Sequence, residues 1–342
     1  MTPRPVVIDT DGGVDDAVAL WWALTDPTID VRAITIVWGN VDVDVATAAV
    51  LRVVHAAGRP DVPVAVGESG PIAKAPDLRP ATFIHGGDGL GNAAGTPAPL
   101  AAVDEPAAAL LARLVHDEPG AISLVTLGPL SNIGRLLRAD PAFAPDVAEL
   151  VVMGGATAGG GNALPAGEAN VAHDPEAAQV TVVAPWRTPP LLVGLDVTRV
   201  ATLTDAEFAL LAEHRNDAAA FLDAPLRFYR HFGSTLTAPD TPCHDLLAVL
   251  AWATPGIITD APVLPIAVDT AGGAAWGATV VDFRAPAFAA LEGAEQATPD
   301  GFAPWRVGLG VDVARFRASV RALFGDPADP AQPGADPGGP DG

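Results

Sequence analysis

Four carboxylates stand within eight residues in the segment Val6-Val7-Ile8-Asp9-Thr10-Asp11-Gly12-Gly13-Val14-Asp15-Asp16. They follow an apolar, strand-like run and precede a helical pattern. That puts them just beyond the carboxyl end of a strand, where open parallel sheets bind ligands. Two like charges about 4 Å apart repel by roughly 4 kcal/mol at an effective dielectric of 20. Such a cluster needs protons, hydrogen-bond donors or a cation, and an all-oxygen donor set favours a hard ion, Ca²⁺ or Mg²⁺, over zinc. Gly12 and Gly13 let the backbone turn sharply there. Capping of the following helix by Asp15 or Asp16 accounts for one or two of the four acids, not for all.

Three further segments carry groups of the same kind. Val125-Thr126-Leu127-Gly128-Pro129-Leu130-Ser131-Asn132 is again a strand end turning into a helix. By itself it reads as a plain turn with Ser131 or Asn132 as N-cap, although the Thr126 carbonyl at the strand tip is placed to give a neutral oxygen to the same cation. In Gly161–Glu176, Asn162, Glu168 and Asn170 bring donors and acceptors close together, which is what gripping a polyhydroxylated ring requires. Asp174-Pro175-Glu176 in the same stretch reads as a helix start, with Asp174 as cap and Pro175 in the first position. Pro242-Cys243-His244-Asp245 leads into an apolar helix, and the pair His244-Asp245 reads equally as a site and as a helix terminus.

Short β-branched runs alternate with helical patterns along the chain, the mark of an α/β fold: an open, mostly parallel sheet with helices on both faces. Strands are expected at Val6–Ile8, Val31–Val37, Val62–Val66, Ile122–Thr126, Leu150–Met153 and Pro190–Val193, with a β segment at Thr279–Phe283. Helices are expected at Ala17–Leu24, Val43–Ala57, Ala107–His116, Asn132–Arg138, His244–Trp252 and Val313–Phe324, and over much of Asp205–Phe232. The loop Gly67–Pro106 is long and rich in Gly and Pro, as loops that form part of a site often are. Residues 1–324 read as one domain, and Gly325–Gly342, almost all Gly, Pro, Ala and Asp, as a disordered tail.

The net charge of −22 argues against nucleic-acid polymers as partners, because a phosphate backbone is bound through surplus Lys and Arg. No run of eighteen apolar residues suggests a membrane span. Met1–Pro5 lacks the basic and apolar regions of a secretory signal, and the single cysteine, Cys243, excludes an internal disulfide and a thiolate zinc cluster. A cytoplasmic protein is expected.

Taken in order, these segments resemble the inosine–uridine nucleoside hydrolase family over residues 5–324. The resemblance rests on Asp9–Asp16, Gly39-Asn40, His85-Gly86, Thr126–Asn132, Met153–Gly155, Glu168–Asn170 and His244-Asp245. It implies a nucleoside hydrolase-like fold and a Ca²⁺ held by Asp11, Asp16, the Thr126 carbonyl and Asp245. It further implies a ribose gripped by Asp15, Asn40, Asn162, Glu168 and Asn170, with His85 at the substrate. Water activated by the cation and deprotonated by Asp11 would attack C1′, and His244 would protonate the departing base. Relatives are usually homodimers or homotetramers. The sequence departs from the family in two places. Gly12 replaces a proline, which is expected to loosen the turn, and Leu226–Phe232 carries phenylalanines where some members have tyrosines. Trp38 could stack on a base, but core packing is the expected role. The competing readings are a haloacid dehalogenase-type phosphatase, suggested by Asp9-Thr10-Asp11-Gly12 but with only Lys74 to meet a phosphate, and a non-catalytic riboside binder.

Overall fold

Val6, Val7 and Ile8 alternate between two apolar layers, as the two-residue period of a strand requires. Val6 and Ile8 enter one core and Val7 the other, so the first strand lies at the centre of a sheet covered on both faces. The computed structural model describes residues 2–93, 95–236, 240–284 and 299–326. Among them, nine strands form one sheet: β1 (Arg4–Thr10), β2 (Ile29–Ile36), β3 (Val64–Val66), β4 (Ser123–Thr126), β5 (Leu150–Met153), β6 (Leu191–Val193), β7 (Val263–Val268), β8 (Thr279–Val281) and β9 (Ala303–Val307). Their order is β8-β7-β9-β6-β5-β4-β1-β2-β3. Pairing is parallel from β3 across to β9 and antiparallel at β9–β7 and β7–β8. The expected open, mostly parallel α/β sheet is what forms.

From β1 the chain moves outward through β2 to β3 and then returns to β4 on the other flank of β1. This reversal opens a crevice beyond the carboxyl ends of β1 and β4, with Asp9 level with Thr126. One face is covered by the helices Val14–Thr25, Val43–Ala56 and His244–Ala253, the other by Ala107–Asp117, Ser131–Ala139 and Pro175–Val182.

Most expected elements occur within a residue or two of their bounds. Asp205–Phe232 divides into the helices Asp205–Leu211 and Asp217–Leu236, interrupted where Asn216 turns its side-chain oxygen onto the Ala219 amide at 2.9 Å. The strands β7 and β9 were not foreseen, because each contains a proline that weakens a strand signal. Here Pro265 and Pro304 pair opposite one another in the antiparallel part of the sheet. Gly325 and Asp326, expected in a disordered tail, instead close the last helix, their amides donating to the Ala322 and Arg321 carbonyls at 3.1 and 3.0 Å, and residues 327–342 lie outside the described residues. No described helix is long and apolar enough to cross a membrane.

A surface cluster ties the helix Ala107–Asp117 to the loop before β5. His116 lies with Nε2 2.7 Å from Asp140 and Nδ1 2.9 Å from Asp146, and these carboxylates raise its pKa above the ordinary imidazole value. The folded state therefore holds this proton more tightly than the unfolded chain. The resulting stabilisation is complete below about pH 6.5 and is lost as pH rises through the elevated folded value. His116→Gln should accordingly lower the melting temperature more at about pH 6 than at about pH 9. A deficit that is the same at both pH values in thermal melts would contradict this account.

Candidate active site

The acidic segment turns at the tip of β1, and each carboxylate has a distinct environment. Asp9 points into the layer away from the crevice, where its Oδ1 accepts from Thr35 at 2.5 Å and Asn132 at 2.7 Å. Burial pushes its pKa up to about 7. Asp16 closes the turn by accepting hydrogen bonds from the Thr10 hydroxyl and from the Gly13 amide at 2.7 Å. Asp11 is held by Asn40, whose backbone amide donates at 2.8 Å and whose side chain donates at 3.0 Å. A Cβ on Gly39 would stand 2.1 Å from Asp11 Oδ2, so glycine is needed there for the backbone to embrace that carboxylate.

Gly12 does not loosen the turn. It is buried at φ +71°, in the left-handed region, and a Cβ there would lie 2.8 Å from the Ala46 Cα. Proline, fixed near −65°, cannot take this conformation. The loop thus reaches its shape by a route that the family's residue does not allow.

Asp245 comes from the far end of the chain. The backbone amides of His244 and Asp245, at the start of the helix His244–Ala253, lie towards Asp15 and favour its ionised form. The helix Val14–Thr25 also begins here, and two positive helix ends thus face the acids. Asp15, Asp16 and Asp245 are all buried, and each offers one oxygen within 4.8 Å of the others. Asp16 and Asp245 are close enough to share a hydrogen bond. Asp11 stands beside this triangle rather than in it.

Burial raises the pKa values of Asp11, Asp15 and Asp245, and the acids raise one another further. Asp15 reaches about 7, through burial first and then the charge of Asp16. Thr126 ends β4 between Asp9 and Val152, fully buried, and its Oγ1 has no hydrogen-bond partner. A buried all-oxygen donor set beside an orphaned hydroxyl fits a hard divalent cation. Lys74, the residue that a phosphatase would need, lies over the Trp276 ring at 5.9 Å.

The residues expected to grip a sugar divide into two groups. Asn40 joins the acids directly. Glu168 is buried and caps the helix Ala169–His173, accepting from the amides of Asn170 at 3.0 Å, Val171 at 3.2 Å and Gly155 at 2.9 Å. Asn170 donates to the Leu127 carbonyl at 2.7 Å and the Met153 carbonyl at 3.1 Å, bridging the ends of β4 and β5. Asn162 is exposed, and its Oδ1 accepts from Ala169 at 2.9 Å.

The long loop Gly67–Pro106 brings His85 to the acids. His85 Nδ1 accepts the Val14 amide at 3.1 Å, which leaves the ring proton on Nε2. Burial, with a smaller effect from His244, lowers its pKa to about 3. His244 is half-buried, 2.8 Å from Thr198 Oγ1, and its pKa is lowered to about 4 by burial and then by Arg199. Both imidazoles are neutral at pH 7.

Sequence reasoning missed Tyr229, the sole tyrosine, whose ring lies 5.4 Å from that of His85 and which is buried among Asp15, Cys243 and Asp245. It also missed Thr198; the only sequence signal for either was proximity to an apolar run. Neither Ser131 nor Asn132 caps its helix. Ser131 donates to Asp174 at 2.7 Å, and Asn132 ties Asp9, the Ile36 carbonyl and the Glu68 amide together. Asp174 caps the helix Pro175–Val182 as expected. Trp38 is fixed by its indole N–H on Ser131 at 3.0 Å and packs edge-on against His173.

Comparison with known proteins gives the chain its relatives. The family model for inosine-uridine preferring nucleoside hydrolases matches residues 6–318. A probable uridine nucleosidase from Oryza sativa subsp. japonica is 38% identical over 226 residues, which is 66% of this chain and 68% of the relative. The inosine-uridine preferring nucleoside hydrolase of Leishmania major is 36% identical over 286 residues, 83% of this chain and 89% of its own. Among solved structures, a plant nucleoside hydrolase superposes with a TM-score of 0.87 at 31% identity, covering 94% of this chain and 99% of that one.

Two outcomes follow from the site. Gly12→Ala forces a side chain into a left-handed position already filled by Ala46 and should destabilise the protein by about 2 kcal/mol or more in urea unfolding. A loss below about 0.5 kcal/mol would mean that the turn re-forms another way. A metal ion that fits this site should raise the melting temperature, with about 2.7 kcal/mol of stabilisation at a hundredfold excess over Kd, and a chelator should reverse it. Asp16→Asn combined with Asp245→Asn should abolish the shift; a shift that persisted in the double variant would place the ion elsewhere.

Proposed function

The chain belongs to the inosine-uridine preferring nucleoside hydrolase family, and from that premise we propose how it hydrolyses the N-glycosidic bond of ribonucleosides to free base and ribose. The observation that carries the reading is the buried triangle of Asp15, Asp16 and Asp245, beside Asp11 and Thr126, at the carboxyl ends of β1 and β4.

The family is metal-dependent, and the ion we assign is Ca²⁺, held by Asp11, Asp16, the Thr126 carbonyl and Asp245. When bound, it would supply a water of lowered pKa at this site. Asp11, steadied by both Asn40 donors, accepts the proton of the attacking water as the oxygen bonds to C1′. The electron pair of the breaking C1′–N bond passes to the base. Positive charge that builds on the ribose ring is stabilised by the surrounding carboxylates, as in other glycoside cleavage.

Asp15, Asn40, Asn162, Glu168 and Asn170 bind the sugar hydroxyls, and His85 offers its Nε2–H to the substrate. His244, with Nδ1 engaged by Thr198, protonates the departing base from Nε2 as the imidazolium, a form whose lowered pKa makes it a strong acid and whose loss of a proton leaves the neutral ring. Cys243, the single and buried thiol, suits the reducing cytoplasm, and we assign the assembly as a homodimer or homotetramer.

The test is to incubate the Ca²⁺-loaded protein with uridine, inosine, cytidine and adenosine and measure free ribose. Uridine or inosine should be cleaved. Asp11→Ala should lower kcat by about 10³-fold or more, and His244→Ala by about 10²- to 10⁴-fold, without loss of the folded state by circular dichroism. Binding of nucleosides with no release of base from the wild type would overturn the reading.

A further inference from the structure

Beyond β6 the chain makes a single helical turn, Leu195–Thr198, in which Thr198 meets His244 while Asp196, and Arg199 at its end, have no part in the chemistry above. Asp196 reaches the glycine-rich segment after β5, and its two carboxylate oxygens accept from the Thr157 and Ala158 amides, both at 2.9 Å. Arg199, at the end of the same turn, donates to the carbonyls of Gly159 at 2.9 Å, Gly160 at 3.0 Å and Gly161 at 2.9 Å. Thr198, between them, holds His244 Nδ1 at 2.8 Å.

A carboxylate therefore takes the N–H groups of one half of the segment, and a guanidinium takes the carbonyls of the other. Charge-assisted bonds of this kind are the stronger ones. Three successive glycines have no side chains of their own with which to anchor, and they lose more conformational freedom on ordering than other residues. The segment leads directly into Asn162, and Gly155 just before it is bonded to Glu168. One turn thus holds both the strand of chain that carries the sugar-binding residues and the histidine on the leaving-group side.

We propose that Asp196 and Arg199 are positioning residues for the hydrolase reaction, a bracket that fixes residues 157–161, and with them Asn162 and Glu168, relative to His244. The inference rests on the function proposed above. Its bonds lie largely at the surface, where they add little to global stability, and their effect falls on the local order of the segment.

The full-length, Ca²⁺-loaded enzyme is compared with Arg199→Ala, Arg199→Lys and Asp196→Ala on the nucleoside that it cleaves best. Arg199→Ala should raise KM about tenfold with little change in melting temperature, and Arg199→Lys should restore only part of it, because an ammonium cannot fork to three carbonyls. If Arg199 acts through Asn162, the double variant with Asn162→Ala should lose about as much kcat/KM as the worse single one, not the product of the two losses. Amide hydrogen exchange across residues 157–162 should speed up at least tenfold in Arg199→Ala. Multiplicative losses, or unchanged exchange in an enzyme that is active, overturn the bracket alone. A wild-type chain that releases no base overturns the function, whatever the segment's exchange.

Discussion

Mutual repulsion among buried carboxylates is the constraint on which this molecule is organised. Asp11, Asp15, Asp16 and Asp245 are each almost wholly shielded from water, and the charges that act on them are chiefly one another's. Such an arrangement is unfavourable unless every oxygen is met by a donor, a shared proton or a cation. The fold supplies donors wherever it can. Two helix starts, the Gly13 amide, the Thr10 hydroxyl and both nitrogens of Asn40 converge on the acids. The remaining electrostatic cost is one that a cation among these oxygens would relieve, which is why the cluster could hold a metal.

Histidine chemistry is shaped by the same burial. His85 and His244 are kept neutral by desolvation first, reinforced at His85 by His244 and at His244 by Arg199. Neutral imidazoles can donate from one nitrogen while the other is fixed, and here the fixing partners are a backbone amide and a threonine hydroxyl. Orientation is thus settled before any substrate arrives, which is what a positioned proton donor requires.

Much of this was legible in the residues. Four acids after an apolar strand can hardly all be solvent-facing, and the alternation of apolar runs with helical patterns gave the layered sheet. The site's donors were harder to read. Ser131 and Asn132 looked like helix caps, yet both are cross-links, because their partners Asp174 and Asp9 are remote in sequence and invisible to local propensity. Gly12 looked like a loosened turn, but the left-handed backbone and the approach of Ala46 that make it tight are tertiary facts. β7 and β9 were hidden by Pro265 and Pro304, whose missing N–H groups count against a strand until the pairing is known. That Asp15 lies so close to Asp16 and Asp245 depends on contacts between remote segments, which no spacing reveals.

The approach of Asp15 to the start of the helix His244–Ala253 has a consequence for biosynthesis. The two segments lie far apart in the sequence, so this contact carries a large loop-closure demand. On a ribosome the amino-terminal acids emerge long before the residues that complete their cage. The nascent chain therefore carries an unmatched cluster of acids until the segment around Asp245 has been made.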